Sequence, residues 1–369
     1  MKVVYIAETS LTNKSAYTHH VIKMCDAFCQ NDVDLTLLLP KVEENLNFKK
    51  IKKNFLLNSK KLFLIKSILN YKTKNFFLRI LFGLKVSKYV KKEKVDLIIT
   101  RSLIASVFLS LMKINHFVEI HSELKSLTKF LMLDLNFINS KYISKIILIS
   151  KSLNKIYKIN KKKSLILHDG VDIKNFKNIK NIKKIKKIET ATYVGSFYKG
   201  RGIDLIVELA KQLKKINFKL YGQSNNNIKL KSKNIKIFKH VNYNKVPKIL
   251  SNSDLLLMPY ADVVFVRAKN INTANYCSPL KMFDYLASGK IILSSKLEGI
   301  CEVLKHNNNS LIIDKYDPKK WIEVIKNVLK NKYNLNKLRK NSISTANKYT
   351  WNKRVIKILN ANKFLKTIN

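Results

Sequence analysis

The chain has 369 residues, 46% of them hydrophobic, so it is long enough for two domains with their own cores and too apolar to be disordered. Against 24 Asp and Glu stand 72 Lys and Arg, a net charge of +48. The basic residues are almost all lysine and run through the whole chain, which argues against the clustered footprint of nucleic-acid binding. It leaves surface lysine from an AT-biased genome or attraction to an anionic membrane.

Met1–Glu8 meets an acid too early for the apolar region of a signal peptide and reads as a first strand, Lys2–Ala7. A helix from about Thr18 to Gln30 places Val21, Met24, Cys25 and Phe28 on one face. Further strands are expected at Asp34–Leu39, Asp96–Thr100, Phe117–Ile120, Lys145–Ile149 and Ser164–Leu167. Between residues 50 and 92, Phe, Leu and Ile are interleaved with many lysines. This reads either as a basic amphipathic helix lying on an anionic bilayer or as helix packed on the sheet. The longest apolar run, Ser102–Met112, is bounded by Arg101 and Lys113 and is too short to span a bilayer.

A second series of strands follows: Thr190–Gly195, Phe218–Gly222, Ile235–Phe238, Leu255–Met258, Ile291–Ser294 and Ser310–Ile313, with helices between them. Residues 336–365 are helical by pattern. The expected fold is therefore α/β: two facing Rossmann-like domains, residues 1–173 and 189–344, with a linker at 174–188 and a cleft between them. A C-terminal helix, about 345–369, packs back on the first domain. Cys25 and Cys29 lie one helical turn apart, and Cys277 and Cys301 are isolated. None has zinc-type spacing, which predicts free thiols in a reducing cytoplasm.

Two segments carry chemistry. Tyr193–Asp204 ends a strand at Gly195 and turns through Gly200 and Gly202 into a helix, with Ser196, Lys199 and Arg201 in the loop. Glycines admit a phosphate close to the backbone, and the two cations neutralise it. Cys277–Gly289 starts a helix at Ser278, Pro279 and Leu280, with Lys281 in its first turn and Asp284 one turn on. Such a start suits a diphosphate, and the carboxylate suits ribose hydroxyls.

These residues resemble a GT-B glycosyltransferase of the large retaining family that includes sucrose synthase-like and mannosyltransferase-like enzymes, often called family 4. The likeness is closest from Thr190 to about Leu329, through Tyr193–Asp204, the strand Leu220-Tyr221-Gly222, Ser253–Tyr260, Ser278–Lys290 and Leu297–Ile313. Leu167–Asp172 resembles the family's Asn-Gly-Val-Asp stretch, and Trp351 with Arg354 resembles its closing crossover helix. Carried over, Arg201 falls where the family has the lysine on the donor diphosphate. Ser196 falls where it often has an arginine, a lost cation that Lys199 or Lys281 replaces.

The resemblance implies a donor-nucleotide site of Gly195, Ser196, Lys199, Gly200, Tyr221, Gly222, Ser278, Pro279, Leu280 and Asp284. Asp284 stands at the second acidic position of the family's E-x7-E motif, and Tyr276 replaces the first. His121 resembles the histidine of the family's His-Asp loop near the transferring sugar, with Glu119 or Glu123 to orient it, and joins Arg201 and Lys281 as the catalytic set. The loop after the first strand carries Ser15, Ala16 and Tyr17 instead of the family's paired glycines; these and Tyr276 are assigned to the donor-sugar or acceptor side. His19 and His20 read as part of a satisfied helix start rather than a metal pair.

The implied reaction is retaining sugar transfer from a nucleotide-diphosphate-sugar to a glycan or lipid-linked acceptor. It would serve bacterial surface polysaccharide or glycolipid synthesis, at the cytoplasmic face of the membrane, with neither cofactor nor metal and no nucleic-acid partner. A nucleotide-sugar 2-epimerase of the same fold and a degenerate, non-catalytic nucleotide-binding protein are the alternatives.

Overall fold

The computed structural model describes the chain apart from residues 14, 74, 180–186, 224–231, 267–268, 315 and 369. It divides into two compact units: Met1–Ile149 with Leu153–His168 and Trp351–Asn369, and Ser150–Ser152 with Asp169–Thr350. Much of the expected linker, 180–186, lies outside the described residues.

The first unit holds strands β1 (Lys2–Ile6), β2 (Asp34–Leu39), β3 (Leu64–Ser67), β4 (Leu97–Thr100), β5 (His116–Ile120), β6 (Ile143–Leu148) and β7 (Ser164–Ile166). They form one parallel sheet in the order β3-β2-β1-β4-β5-β6-β7. The order reverses between β1 and β4, so a crevice is expected at the carboxyl ends of those two strands. Helices α1 (Ala16–Cys29), α2 (Phe48–Phe55), α3 (Phe76–Lys92), α4 (Leu103–Leu111), α5 (Ser126–Lys129) and α6 (Lys151–Tyr157) connect the strands. Val4 and Ile6 of β1 pack with Leu38 of β2, Ile98 of β4, and Phe82 and Val86 of α3. Central strands covered on both faces in this way need continuous apolar runs, which is why β1 and β2 are readable from the sequence.

The second unit repeats the scheme with β8 (Thr190–Val194), β9 (Asn217–Tyr221), β10 (Ile235–Phe238), β11 (Leu255–Met258), β14 (Ile291–Ser295) and β15 (Leu311–Ile313). Their order is β10-β9-β8-β11-β14-β15, all parallel, and the reversal lies between β8 and β11. A short antiparallel ribbon, β12 (Phe265–Val266) and β13 (Lys269–Asn272), follows β11. Helices α7 (Ile203–Gln212), α8 (Val246–Ser251), α9 (Leu280–Ala287), α10 (Glu298–Cys301), α11 (Pro318–Leu329) and α12 (Leu335–Lys348) complete it. The period-two alternation of β11 divides between two cores: Leu255 and Leu257 face Trp321 and Leu205, whereas Leu256 and Met258 face Met282, Phe283 and Leu286.

Two expectations need correction. The stretch 50–92 is not one basic amphipathic helix but α2, the edge strand β3 and α3. Phe82, Val86 and Val90 of α3 are buried, while Phe77, Leu81, Lys85 and Lys88 form an exposed stripe at helical spacing. The C-terminal helix is broken: α12 ends at Lys348 and α13 (Trp351–Ile368) begins in the first unit. Between them the Tyr349 carbonyl accepts from the Val171 N–H at 3.0 Å, which takes the backbone out of the helix ladder. All four cysteines are free. Among the described residues no helix is long and apolar enough to cross a membrane.

Candidate active site

In the second unit the loop after β8 and the start of α9 meet at the point where strand order reverses. Tyr285 of α9 accepts the Val194 N–H on its hydroxyl at 2.9 Å, and the Tyr193 hydroxyl donates to the Ser196 carbonyl at 2.7 Å. Gly195 has φ +150°, and a Cβ there would stand 2.6 Å from Lys281 Nζ, so glycine leaves the room the lysine needs. At Gly200 a Cβ would meet the Val263 carbonyl oxygen at 1.7 Å. At Gly222 it would meet the Gly195 carbonyl oxygen at 2.0 Å. Those two glycines serve close backbone packing that shapes the loop.

Lys281 Nζ lies 3.5 Å from the centre of the Tyr193 ring and 5.5 Å from that of Tyr260. The Arg201 guanidinium stands 5.0 Å from the same Tyr260 ring and donates from Nη2 to the Phe265 carbonyl at 3.3 Å. Lys281 Nζ and Arg201 Nε are both buried without a hydrogen-bond partner. Burial, and then the neighbouring Arg201 charge, hold the Lys281 ammonium well below the ordinary lysine pKa. Among the described residues neither cation is paired with an acid, and the two share the aromatic wall of Tyr260, an arrangement whose chemistry suits an anion.

Of the two lysines expected to replace the cation lost at Ser196, Lys281 is the one beside Arg201. Lys199 is exposed, with its Nζ 5.8 Å from the Phe265 ring centre. Pro279 is the N-cap of α9, and no side chain caps that end, which leaves the first N–H groups to a ligand. Ser278 is buried beside it. Asp284 departs from the simple expectation: it is buried, and its Oδ1 accepts the Tyr243 hydroxyl at 2.8 Å, so ribose would have to share or displace that bond. Tyr276 is buried with its carbonyl bound by Ser150 Oγ at 3.0 Å, and Tyr221 stacks on Phe238 with ring centres 4.5 Å apart.

The first unit gathers a different cluster at its strand ends. Glu119 of β5 is fully buried and accepts from the Tyr5 hydroxyl at 2.9 Å and from His121 Nε2 at 2.8 Å. His20 Nε2 lies 3.0 Å from it, and Arg354 of α13 binds it through Nη2. Burial pushes the Glu119 carboxyl up, but its contacts with His20, Arg354 and His121 outweigh it and leave the acid well below its ordinary range. His121 goes to about 3, driven first by burial and then by Arg101 against the pull of Glu119. At neutral pH it is a neutral imidazole whose Nε2–H donates to Glu119, which assigns the lone pair to Nδ1. Its side chain keeps 18% exposure, enough for a ligand to reach it.

Glu119 is thus the acid that orients His121. His20 joins the cluster, its ring edge-on to His121 at 4.6 Å and to Trp351 at 5.2 Å, which a reading as a mere helix start missed. The donor atoms of His20, Glu119 and His121 lie within 4.8 Å of one another, yet Arg354 already balances the carboxylate that a metal would need. Ser15 caps α1 by accepting the Thr18 N–H at 3.2 Å, and Ala16 is exposed. Tyr17 accepts the Glu8 N–H on its hydroxyl at 3.1 Å and lies under the Arg101 guanidinium, 4.0 Å from the ring centre.

Residues 174–348 match the family model of glycosyl transferases group 1. No curated protein matches the chain in sequence. Among solved structures it is similar to the sucrose-phosphate synthase of Thermosynechococcus elongatus (13% identity, TM-score 0.75, all of both chains covered). It is also similar to a glycosyltransferase of Rickettsia africae (14%, TM-score 0.73, 98% of this chain and 97% of that one). A third likeness is HepE of Anabaena in complex with UDP-glucose (12%, TM-score 0.70, 98% of this chain and 100% of that one). These likenesses show the fold. Residues 174–348 thus carry the match to glycosyl transferases group 1, and the two doubly wound units have the GT-B fold of the solved glycosyltransferases they resemble.

Proposed function

We propose that the chain moves a sugar, with retention, from a nucleotide-diphosphate-sugar to a glycan or lipid-linked acceptor in bacterial surface polysaccharide or glycolipid synthesis. The observation that carries this reading is the buried, unpaired cation pair of Arg201 and Lys281 beside the uncapped start of α9. A departing nucleoside diphosphate gathers negative charge as the glycosidic bond breaks. Fixed cations and N–H dipoles lower that barrier only where charge develops. Arg201 offers a fork to two phosphate oxygens, Lys281 a single ammonium, and the start of α9 the backbone amides of Leu280 and Lys281. No step in this scheme is assigned to a metal.

Hydrolysis of UDP-, GDP-, ADP- and dTDP-sugars by the purified chain, with and without a chelator, tests the reading; HepE's UDP-glucose makes UDP the first donor to try. Release of one nucleoside diphosphate is expected, unchanged by the chelator. Arg201→Ala should lower it about 100-fold or more, as loss of a transition-state charge contact does. Asp284→Ala should act mainly on the donor KM. Binding without turnover would favour the degenerate reading, and an epimerised nucleotide sugar the 2-epimerase.

Membrane contact is proposed through the exposed stripe of α3, where Phe77 (78% exposed) and Leu81 lead into Lys85 and Lys88. Apolar side chains entering an interface beside lysines favour anionic lipid. The chain should co-sediment with vesicles containing phosphatidylglycerol and less with phosphatidylcholine alone. Phe77→Glu should cut that binding, and equal binding by this variant would remove α3 from the proposal.

A further inference from the structure

The reversal of strand order in the first unit, between β1 and β4, is flanked by Glu8 just past β1 and by Arg101 just past β4. Parallel sheets bind ligands at such a crevice, at the carboxyl ends of their strands. The Arg101 N–H donates to the Ile6 carbonyl at 2.9 Å, which pins the residue at that point. Its guanidinium carbon lies 4.0 Å from the centre of the Tyr17 ring, a cation–π contact that holds the side chain in place. Arg101 Nη1 is buried and has no hydrogen-bond partner.

The acids that would be expected to neutralise Arg101 are engaged elsewhere. Both Glu8 oxygens are held by Arg79, at 2.8 and 3.3 Å, and one of them also accepts from Ser102 Oγ at 2.5 Å. Glu119 is bound by Arg354 as well as by Tyr5 and the two histidines. His121, close enough to feel the Arg101 charge, is neutral at physiological pH and adds no competing cation. The second unit shows the same design at its own reversal, with Arg201 on Tyr260 and an unpartnered guanidinium nitrogen.

Resting on the transferase reading, we propose that the crevice of the first unit is a second anion site, in which Arg101, held on Tyr17, takes a phosphate or carboxylate group of the acceptor. The acceptor class is thereby an anionic one: a lipid-linked phosphate or diphosphate, or an acidic sugar.

The test silences the anion site of the second unit with Arg201→Gln and Lys281→Gln in the full chain. Farnesyl diphosphate and, separately, glucuronate are then titrated by calorimetry at physiological salt. One of the two probes is expected to bind one-to-one, and which one it is tells the lipid-linked source from the acidic sugar. Adding Arg101→Gln should weaken that binding about 10- to 100-fold, the usual cost of a lost charge-assisted contact. Arg101→Lys, which keeps the charge but not the fork, should fall between. It also serves if the glutamine variant fails to fold, with heat protection by the probe as a second readout. Absence of one-to-one binding by both probes, or equal binding with and without Arg101, overturns the proposal. Nucleotide-sugar turnover by the unsubstituted chain is read separately, so failure of the transferase reading and failure of this site give different results.

Discussion

Replacing Arg354 with methionine is expected to destabilise the first unit by about 3–5 kcal/mol, because it takes from the fully buried Glu119 its one arginine partner among the described residues. Arg354 also donates from Nη1 to the Leu167 and His168 carbonyls, so the same change strips partners from the last turn of chain before the second unit begins. Glu119→Gln together with Arg354→Met should cost less than Arg354→Met alone, since a buried pair replaced as a pair leaves no orphan charge. Urea unfolding followed by the fluorescence of Trp351, which belongs to this unit, measures the difference. A loss below about 1 kcal/mol in the single variant would contradict the need of Glu119 for the Arg354 charge.

The same cluster fixes the direction of the acid response. His121 and His116 have folded pKa values lowered to about 3 and about 4, in both cases chiefly by burial, while the unfolded chain titrates near the ordinary 6.5. The unfolded state therefore binds more protons below that value, so stability present at pH 7 is lost as pH falls through 6.5 towards 4. The depressed Glu119 acts in the same sense lower down: its contribution is present above the ordinary 4.5 and lost as pH falls towards the folded value. The first unit should thus weaken steadily on acidification in that same fluorescence assay, and a flat profile between pH 7 and 5 would contradict the neutral, buried state of both imidazoles.

How much of this was legible in the residues follows from range. The central strands were readable because burial on both faces forces apolar runs, as in Leu255–Met258; β3 was not, because an edge strand keeps Lys66 and an exposed Leu64 and so loses the pattern. The loop from Tyr193 to Asp204 and the start of α9 stood out by their glycines and cations, and the fold brings the two segments together. Which lysine completes the pair was not readable, since Lys199 and Lys281 are alike in sequence and only the fold sets one of them against Tyr193 and Tyr260. Contacts across long separations were equally hidden. The Arg354–Glu119 pair spans 235 positions and Tyr243–Asp284 spans 41, and neither has a local periodicity that could announce it.

Lys281→Met is expected to lower nucleotide-sugar turnover by about 100- to 1,000-fold, the range for removing one fixed charge from a developing anion. Lys281→Arg should recover part of that loss. The pH dependence carries the more specific consequence. A diphosphate is held by the ammonium, not the amine, so affinity is fully present below the Lys281 pKa and is lost as pH rises through it. Because burial and Arg201 place that pKa well below 10.5, the fall should come well before an ordinary lysine would titrate. Lys281→Arg keeps its charge throughout and should flatten the falling limb. Arg201→Met removes one of the two causes of the depression, so its limb should move to higher pH even as overall affinity drops. Titrating the preferred nucleoside diphosphate by calorimetry across pH 6 to 10 separates these cases. A limb that stays in place in both variants would assign the titration to another group and leave Lys281 a merely structural neighbour of Tyr193.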